Sequence, residues 1–290
     1  MASRQGRRCY GFQSEDGRLL FCTREEYSFQ LERPVGNGDL WLHKAAGTCR
    51  CGHQHGTWAP QWSVPAPSPV RQKKSAETVA RLWERASTIP GAAHVAYLRN
   101  RRLNPLALPP TLRFYDSLER WERGNSESFP AMVGQILDKS SDPPEQIGIH
   151  RTYLQKHGTK APGTARKTLG SVTGACIPLG DAVAGRIGIT EGIETGLSVQ
   201  QTTGLRCWAA ISASGMISLE LPESIHDIVI FAEPDPAGES AATKAAQRWT
   251  DEGRSVRLAR SAEGDANDIL MLRGGAGVRT MLAKSQPYCN

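Results

Sequence analysis

The sequence predicts an α/β protein whose C-terminal part, residues 185–290, carries a four-stranded parallel sheet flanked by helices. A basic α+β subdomain and a small N-terminal β module precede it. Three observations predict this. After residue 185, apolar strand-like runs alternate with helical stretches, the pattern of βαβ units. Acidic residues stand directly behind those strands. Charge is divided along the chain: residues 1–170 carry a net +10 and residues 171–290 a net −4, within an overall +6. That division fits one surface that holds a polyanion and another that gathers carboxylates around a cation, or else a plain drift of surface charge.

Four regions follow in order. Residues 1–56 read as a β module, with two alternating runs around the turn signal Glu15-Asp16-Gly17. Residues 57–75 hold Pro60, Pro65, Pro67 and Pro69 ahead of Arg71, Lys73 and Lys74, and read as an extended linker. Residues 76–184 begin with a helix capped by Ser75, its face formed by Val79, Leu82, Trp83 and Ala86. A second helix is expected over Ala92–Asn100, then strands over 131–137, 147–154 and 175–179 among Gly- and Lys-rich loops. In residues 185–290 the spacing predicts strands over 187–190, 206–211, 227–232 and 255–259, with helices over 193–203 and 238–251. No run of apolar residues is long enough to span a membrane, no secretory signal is evident, and seven Cys suit a reducing cytoplasm.

In a parallel sheet, functional groups collect beyond the carboxyl ends of the strands. Glu191 follows the first predicted strand, Glu233 and Asp235 follow the third, and Asp265 and Asp268 follow the fourth. Carboxylates converging on one edge repel one another unless a cation joins them, and oxygen ligands of this kind suit Mg²⁺ or Mn²⁺. The alternative is that they cap helices.

The stretch 186–275 resembles the Toprim domain of bacterial-type primases, topoisomerases and some nucleases. The likeness rests on Glu191-Gly192, Glu233-x-Asp235-x-x-Gly238 and Gly264-Asp265-x-x-Asp268. The order Thr190-Glu191-Gly192-Ile193-Glu194-Thr195, Trp208-Ala209-Ala210 and Asp235-Pro236-Ala237-Gly238 is similar to primase-like proteins of plasmids, phages and integrative elements. That likeness reaches upstream to about residue 76. One departure is Glu233, where the family usually has Asp. The resemblance implies two-metal phosphoryl transfer that makes primers on single-stranded DNA from nucleoside triphosphates. Glu191, Asp235 and Asp268 would be catalytic; the same three with Glu233 and Asp265 would hold the metal; Glu194 is a secondary candidate. A TOPRIM nuclease, or a non-catalytic nucleic-acid-binding replication accessory protein, are the other readings.

Basic residues lie just upstream of this stretch. His150, Arg151, Lys160, Arg166 and Lys167 fall in a Gly-broken segment that resembles the template- and nucleotide-gripping region of primases, with Tyr153 available to stack on a base. A solvated Lys-rich loop is the plainer alternative. The knot Arg99, Arg101, Arg102 could touch DNA backbone or end a helix favourably. Cys49-x-Cys51-x-His53-x-His55 is rich in soft ligands, and Cys22, Cys49, Cys51 and His55 form the candidate Zn²⁺ set. A β module with unligated thiols fits the spacing as well. The sequence contains no Gly-x₄-Gly-Lys-Ser/Thr loop, so unwinding is expected from a separate helicase or replication initiator.

Overall fold

The computed structural model describes short strands between residues 11 and 44, and then residues 69–122 and 124–289. The chain forms two units, Met1–Ser68 and Pro69–Asn290. In the first, β1 (Gly11–Gln13), β2 (Leu19–Cys22), β3 (Phe29–Gln30) and β4 (Trp41–Lys44) make an antiparallel sheet ordered β1-β2-β4-β3. The β1–β2 pair is the hairpin that the Glu15–Gly17 turn predicts. Of the candidate zinc ligands, Cys49, Cys51 and His55 lie outside the described residues, and for Cys22 only the backbone in β2 is described.

The second unit opens with α1 (Pro69–Arg85), six residues ahead of the expected start at Ser75. Proline at a first helical position gives up an N–H that has no intrahelical partner, so Pro69 starts the helix rather than prolonging the linker. Helix α2 (Ala92–Asn100) has the expected bounds. Strands β5 (Leu112–Glu122), β6 (Asn125–Asp138), β7 (Glu145–Tyr153) and β8 (Arg166–Gly170) then form an antiparallel sheet in that order. Strand alternation gives this sheet two apolar faces. Val133, Ile149 and Tyr153 pack with Val79 and Trp83 of α1. Met132 and Ile136 point the other way, into a core shared with Tyr97 and Leu98 of α2.

That second face continues into the α/β part, built from β9 (Ile177–Pro178), β10 (Arg186–Thr190), α3 (Ile193–Thr203), β11 (Cys207–Ala209), α4 (Ala213–Ser218), β12 (Asp227–Phe231), α5 (Pro236–Asp251), β13 (Ser255–Ala259), α6 (Ala266–Ala283) and β14 (Gln286–Pro287). Its sheet is ordered β14-β13-β12-β10-β11-β9. The four central strands are parallel, as the sequence predicts, and the two-residue edge strands β9 and β14 pair antiparallel. Alternation along β12 sends Ile228 and Ile230 into a core with Ala241, Ala245 and Trp249 of α5, and Val229 and Phe231 into a core with Leu197 of α3 and Ile269 of α6. The latter core also contains Met132 and Ile136, so one apolar core joins the antiparallel sheet to the parallel one. No helix among the described residues is long and apolar enough to cross a membrane.

Candidate functional site

Strand β10 lies between β11 and β12, so the chain leaves it through α3 to one side and later returns through β12 on the other. In an open α/β sheet the crevice at such a reversal, beyond the carboxyl ends, is where ligands bind. Glu191 is the first residue past β10 and Glu233 the second past β12. Asp235 is the N-cap of α5, where its Oδ1 accepts the Gly238 N–H at 2.7 Å. A Cβ at position 238 would lie 2.8 Å from the Glu233 Cβ and 2.9 Å from its carbonyl oxygen. The Glu-x-Asp-x-x-Gly spacing is therefore a packing requirement: only glycine lets the first turn of α5 close over Glu233. Asp265 caps α6, its Oδ1 accepting the N–H groups of Asn267 (2.7 Å) and Asp268 (2.9 Å). The cap reading thus holds for Asp235 and Asp265 and leaves their outward lone pairs available.

Electrostatics ties four of these acids together. Burial first, and then Glu191, Asp265 and Asp235, push the Glu233 carboxyl up to about 7 against the pull of Arg166. Glu191 is also raised, by burial and then by Asp235, with Arg166 opposing. Asp268 is exposed in the first turn of α6, its carboxylate beside Gly264, and Asp265 is the acid of that loop that acts on Glu233. None of the five takes part in an ion pair among the described residues. Among those residues no three His, Cys, Asp or Glu side chains are grouped closely enough to hold a metal ion by themselves. This donor set fits Mg²⁺ or Mn²⁺, which bind through one or two carboxylates and keep waters or phosphate oxygens in their other positions, better than a closed protein cage.

The cleft between Glu191 and Glu233 is also lined by His150, Arg166, Ile177, Glu194 and Ile211. Strand alternation splits the predicted basic set. His150 of β7 and Arg166 of β8 face the cleft. Arg151 and its cross-strand neighbour Lys167 have the opposite parity. Arg151 reaches Tyr153 Oη at 3.2 Å and the Thr168 carbonyl at 3.4 Å, and the Lys167 ammonium donates to the Trp121 carbonyl. Tyr153 is fully buried, its hydroxyl donating to the Glu119 carbonyl, so it cannot stack on a base. His150 is buried with Nδ1 3.3 Å from Thr168 Oγ1; burial first, and then Arg166, lower it to about 4, so it is a neutral imidazole at pH 7. Lys160 is not part of this lining but adjoins it through Glu194, its Nζ 3.6 Å from Glu194 Oε1.

Glu194 is not a metal candidate in this arrangement. Its buried carboxylate accepts a hydrogen bond from the Tyr97 hydroxyl and stands 3.6 Å from Lys160 and from Arg166. Burial pushes the group up, but Lys160, Arg166 and Tyr97 more than offset it and hold it at about 2. Sequence reasoning missed Tyr97, which reads as one more apolar position of α2. It also missed Ile211, a β-branched residue held at φ 75° just past β11, where such backbone costs roughly 1–3 kcal/mol and clusters at functional sites. Nothing in the sequence signals it. Helix α4 is capped by Ser212, whose Oγ accepts the Gly215 N–H at 3.0 Å.

The site thus sits on a mostly parallel α/β sheet with coupled acids at its strand ends, joined to an antiparallel sheet that carries cations. Residues 186–276 match the Toprim domain family, and residues 73–179 match a domain of unknown function, DUF7146. No curated protein matches the chain. Among solved structures, the DnaG catalytic core superposes with a TM-score of 0.52 at 12% identity, over 73% of this chain and 80% of that one. The RNA polymerase domain of Mycobacterium tuberculosis primase DnaG gives 0.50 at 17% identity, over 77% and 85%. An Aquifex aeolicus primase fragment with zinc-binding and RNA polymerase domains gives 0.49 at 13% identity, over 74% of this chain, which spans only 62% of that fragment. The likeness is one of fold.

Proposed function

We propose that this chain is a primase-like nucleotidyltransferase that joins nucleoside triphosphates into short primers on single-stranded DNA. The observation that carries this reading is the set of mutually repelling acids Glu191, Glu233, Asp235 and Asp265 at one sheet edge, without ion-pair partners among the described residues, of which Glu191 and Glu233 line a cleft together with Arg166. A DnaG primase catalytic domain of the same fold (TM-score 0.50, 13% identity) was solved bound to single-stranded DNA, which suits the reading.

In this reading Glu191, Glu233 and Asp235 hold divalent ions, with Asp265 and Asp268 supporting from the α6 loop. Bound Mg²⁺ or Mn²⁺ would neutralise charge on the transferring phosphoryl group. A Glu191 carboxylate oxygen left free of metal would accept the proton of the attacking 3′-hydroxyl. Lys160 and Arg166 receive the polyphosphate, and the neutral His150 wall limits water at that end. Arg151 and Lys167, on the face of the sheet that packs against α1 and engaged by the Thr168 and Trp121 carbonyls, take no part in receiving the nucleotide in this reading.

The test is incubation with single-stranded DNA, labelled nucleoside triphosphates and Mg²⁺ or Mn²⁺. The informative variant is Asp235→Asn, because Asn keeps the α5 cap while removing the charge. Short oligonucleotides made by the wild type and lost by at least ~100-fold in D235N are the expected result. Shortened template in place of new oligonucleotides would make the protein a nuclease, and DNA retention with neither product an accessory factor.

A further inference from the structure

The cleft contains a buried ion cluster that the metal chemistry does not use. Glu194, in the first turn of α3, has a side chain only 7% exposed. Three elements converge on it: Tyr97 from α2, Lys160 from the loop after β7, and Arg166 from β8. The two cations stay partly open to solvent, Lys160 at 28% and Arg166 at 50%, while their counter-ion does not. Both pairs are 3.6 Å apart, longer than good hydrogen bonds, so the cationic heads retain donors for another anion. Arg166 is also close enough to Glu191 and Glu233 to pull both carboxyls down. The cluster therefore links the basic sheet to the metal-facing acids.

We propose that Glu194 is a positioning residue, which keeps Lys160 charged and holds Lys160 and Arg166 together so that both receive the polyphosphate of an incoming nucleotide. The inference rests on the nucleotidyltransferase reading for the identity of the anion, though not for the clamp itself. The physical requirement comes from Lys160. Taking an ammonium out of water disfavours its charged form, and an opposite charge beside it restores that form. Burial lowers Lys160, Glu194 resists the shift, and Arg166 and Arg101 add to it. The other groups facing the cluster do not titrate near neutrality. Arg101 and Arg166 stay charged, His150 is held at about 4 by burial, and the Tyr97 hydroxyl is pushed up by burial and by Glu194. Removing the Glu194 charge should leave Lys160 as the group that loses its proton first as pH rises.

The experiment measures binding of inorganic tripolyphosphate to the full chain by calorimetry, without divalent ions, between about pH 6.5 and 8.5. In the wild type, affinity should fall little over this range. In Glu194→Gln it should fall about tenfold or more towards the alkaline end, the midpoint moving down by about one unit or more. Adding Lys160→Arg to Glu194→Gln should flatten the profile again, because a guanidinium stays charged. A purely structural role would weaken binding equally at every pH and would not be rescued by arginine. Parallel profiles for wild type and E194Q, or no tripolyphosphate binding by the wild type, would overturn the proposal. If E194Q does not fold, Glu194→Asp carries the test: its carboxylate is withdrawn from Lys160 by one methylene but keeps its charge, so a tilt in the same direction and smaller is expected, and a parallel profile overturns the proposal. Because the assay omits metal and template, its outcome is separable from primer synthesis: tripolyphosphate binding with the expected tilt in a chain that makes no primers removes only the activity, and primer synthesis with parallel profiles removes only the clamp.

Discussion

At the scale of single residues, Glu233 is the sharpest test of the acid cluster. Its folded value of about 7 lies above the ordinary 4.5, so the folded protein holds that proton more tightly than the unfolded chain does. The resulting stabilisation is complete below about pH 4.5 and is lost as pH rises through about 7. Without metal, Glu233→Gln should therefore be more stable than wild type at alkaline pH by roughly 1–2 kcal/mol after solvent screening, and about equal to it at low pH. Millimolar Mg²⁺ should raise the wild-type melting temperature at alkaline pH and raise that of E233Q much less. Thermal melts at two pH values, with and without Mg²⁺, check both statements; a variant that melts lower than wild type at alkaline pH would mean that the acids are not repelling one another. His150 and Glu194 act in the opposite sense. Both are depressed, to about 4 and about 2, so their stabilisation is present above their ordinary values of 6.5 and 4.5 and drains away on acidification.

At the scale of elements, the site is made by the way helices begin. Asp235 and Asp265 each close the first turn of a helix and present a carboxylate to the strand edge, so cap and charge can be separated by substitution. Asp265→Asn should leave the melting temperature nearly unchanged, whereas Asp265→Ala should lose about 1 kcal/mol through the missing cap. Gly238→Ala places a Cβ against Glu233 and must lift the first turn of α5, at a cost of roughly 1–3 kcal/mol, and it should weaken Mg²⁺ stabilisation as well. Denaturant melts of the three variants give the comparison. These elements also mark what was legible in the sequence. The four parallel strands, α3 and α5 were readable because their apolar runs are short and regular and, at β10, β12 and β13, followed by acids. Strand β5 was missed because Arg113, Asp116, Glu119, Arg120 and Glu122 hide its alternation, which a bulge between Tyr115 and Leu118 also shifts. Helix α6 was missed because Gly274, Gly275 and Gly277 read as a loop, and Gly274 does kink it, at φ 68°. Strand β8 read as a basic loop because Arg166 and Lys167 lie on opposite faces of a half-exposed edge. That same parity, invisible without the strand assignment, decides which of the predicted cations reach the cleft.

At the scale of the molecule, the two matched regions, 73–179 and 186–276, do not correspond to two independent cores. Tyr97, Leu98, Phe114, Met132 and Ile136 from the first share one buried cluster with Ile193, Leu197, Val229, Phe231 and Ile269 from the second. Approach is close enough that a Cβ on Gly134 of β6 would lie 3.3 Å from Ile193 of α3. Polar ties cross the same boundary: Asn267 of α6, fully buried, donates to the Arg101 carbonyl and accepts from the Arg101 side chain, and Tyr97 reaches Glu194. A C-terminal part cut free at residue 185 would expose the α3–α6 face that this core covers, and it would also lose Lys160 and Arg166, the partners that neutralise Glu194. An unpaired buried charge of that kind costs several kcal/mol. Residues 69–290 should therefore unfold in a single calorimetric transition, with calorimetric and van't Hoff enthalpies in agreement. The fragment 185–290 alone should bind a hydrophobic dye and lack near-ultraviolet dichroism from Trp208 and Trp249. Two separate transitions within 69–290, or a fragment that melts cooperatively, would mean that the acids are held by the parallel sheet alone. The shared core is what makes the cleft a fixed distance between cations on one sheet and carboxylates on the other, so its cooperativity and the chemistry proposed for the cleft stand on the same contacts.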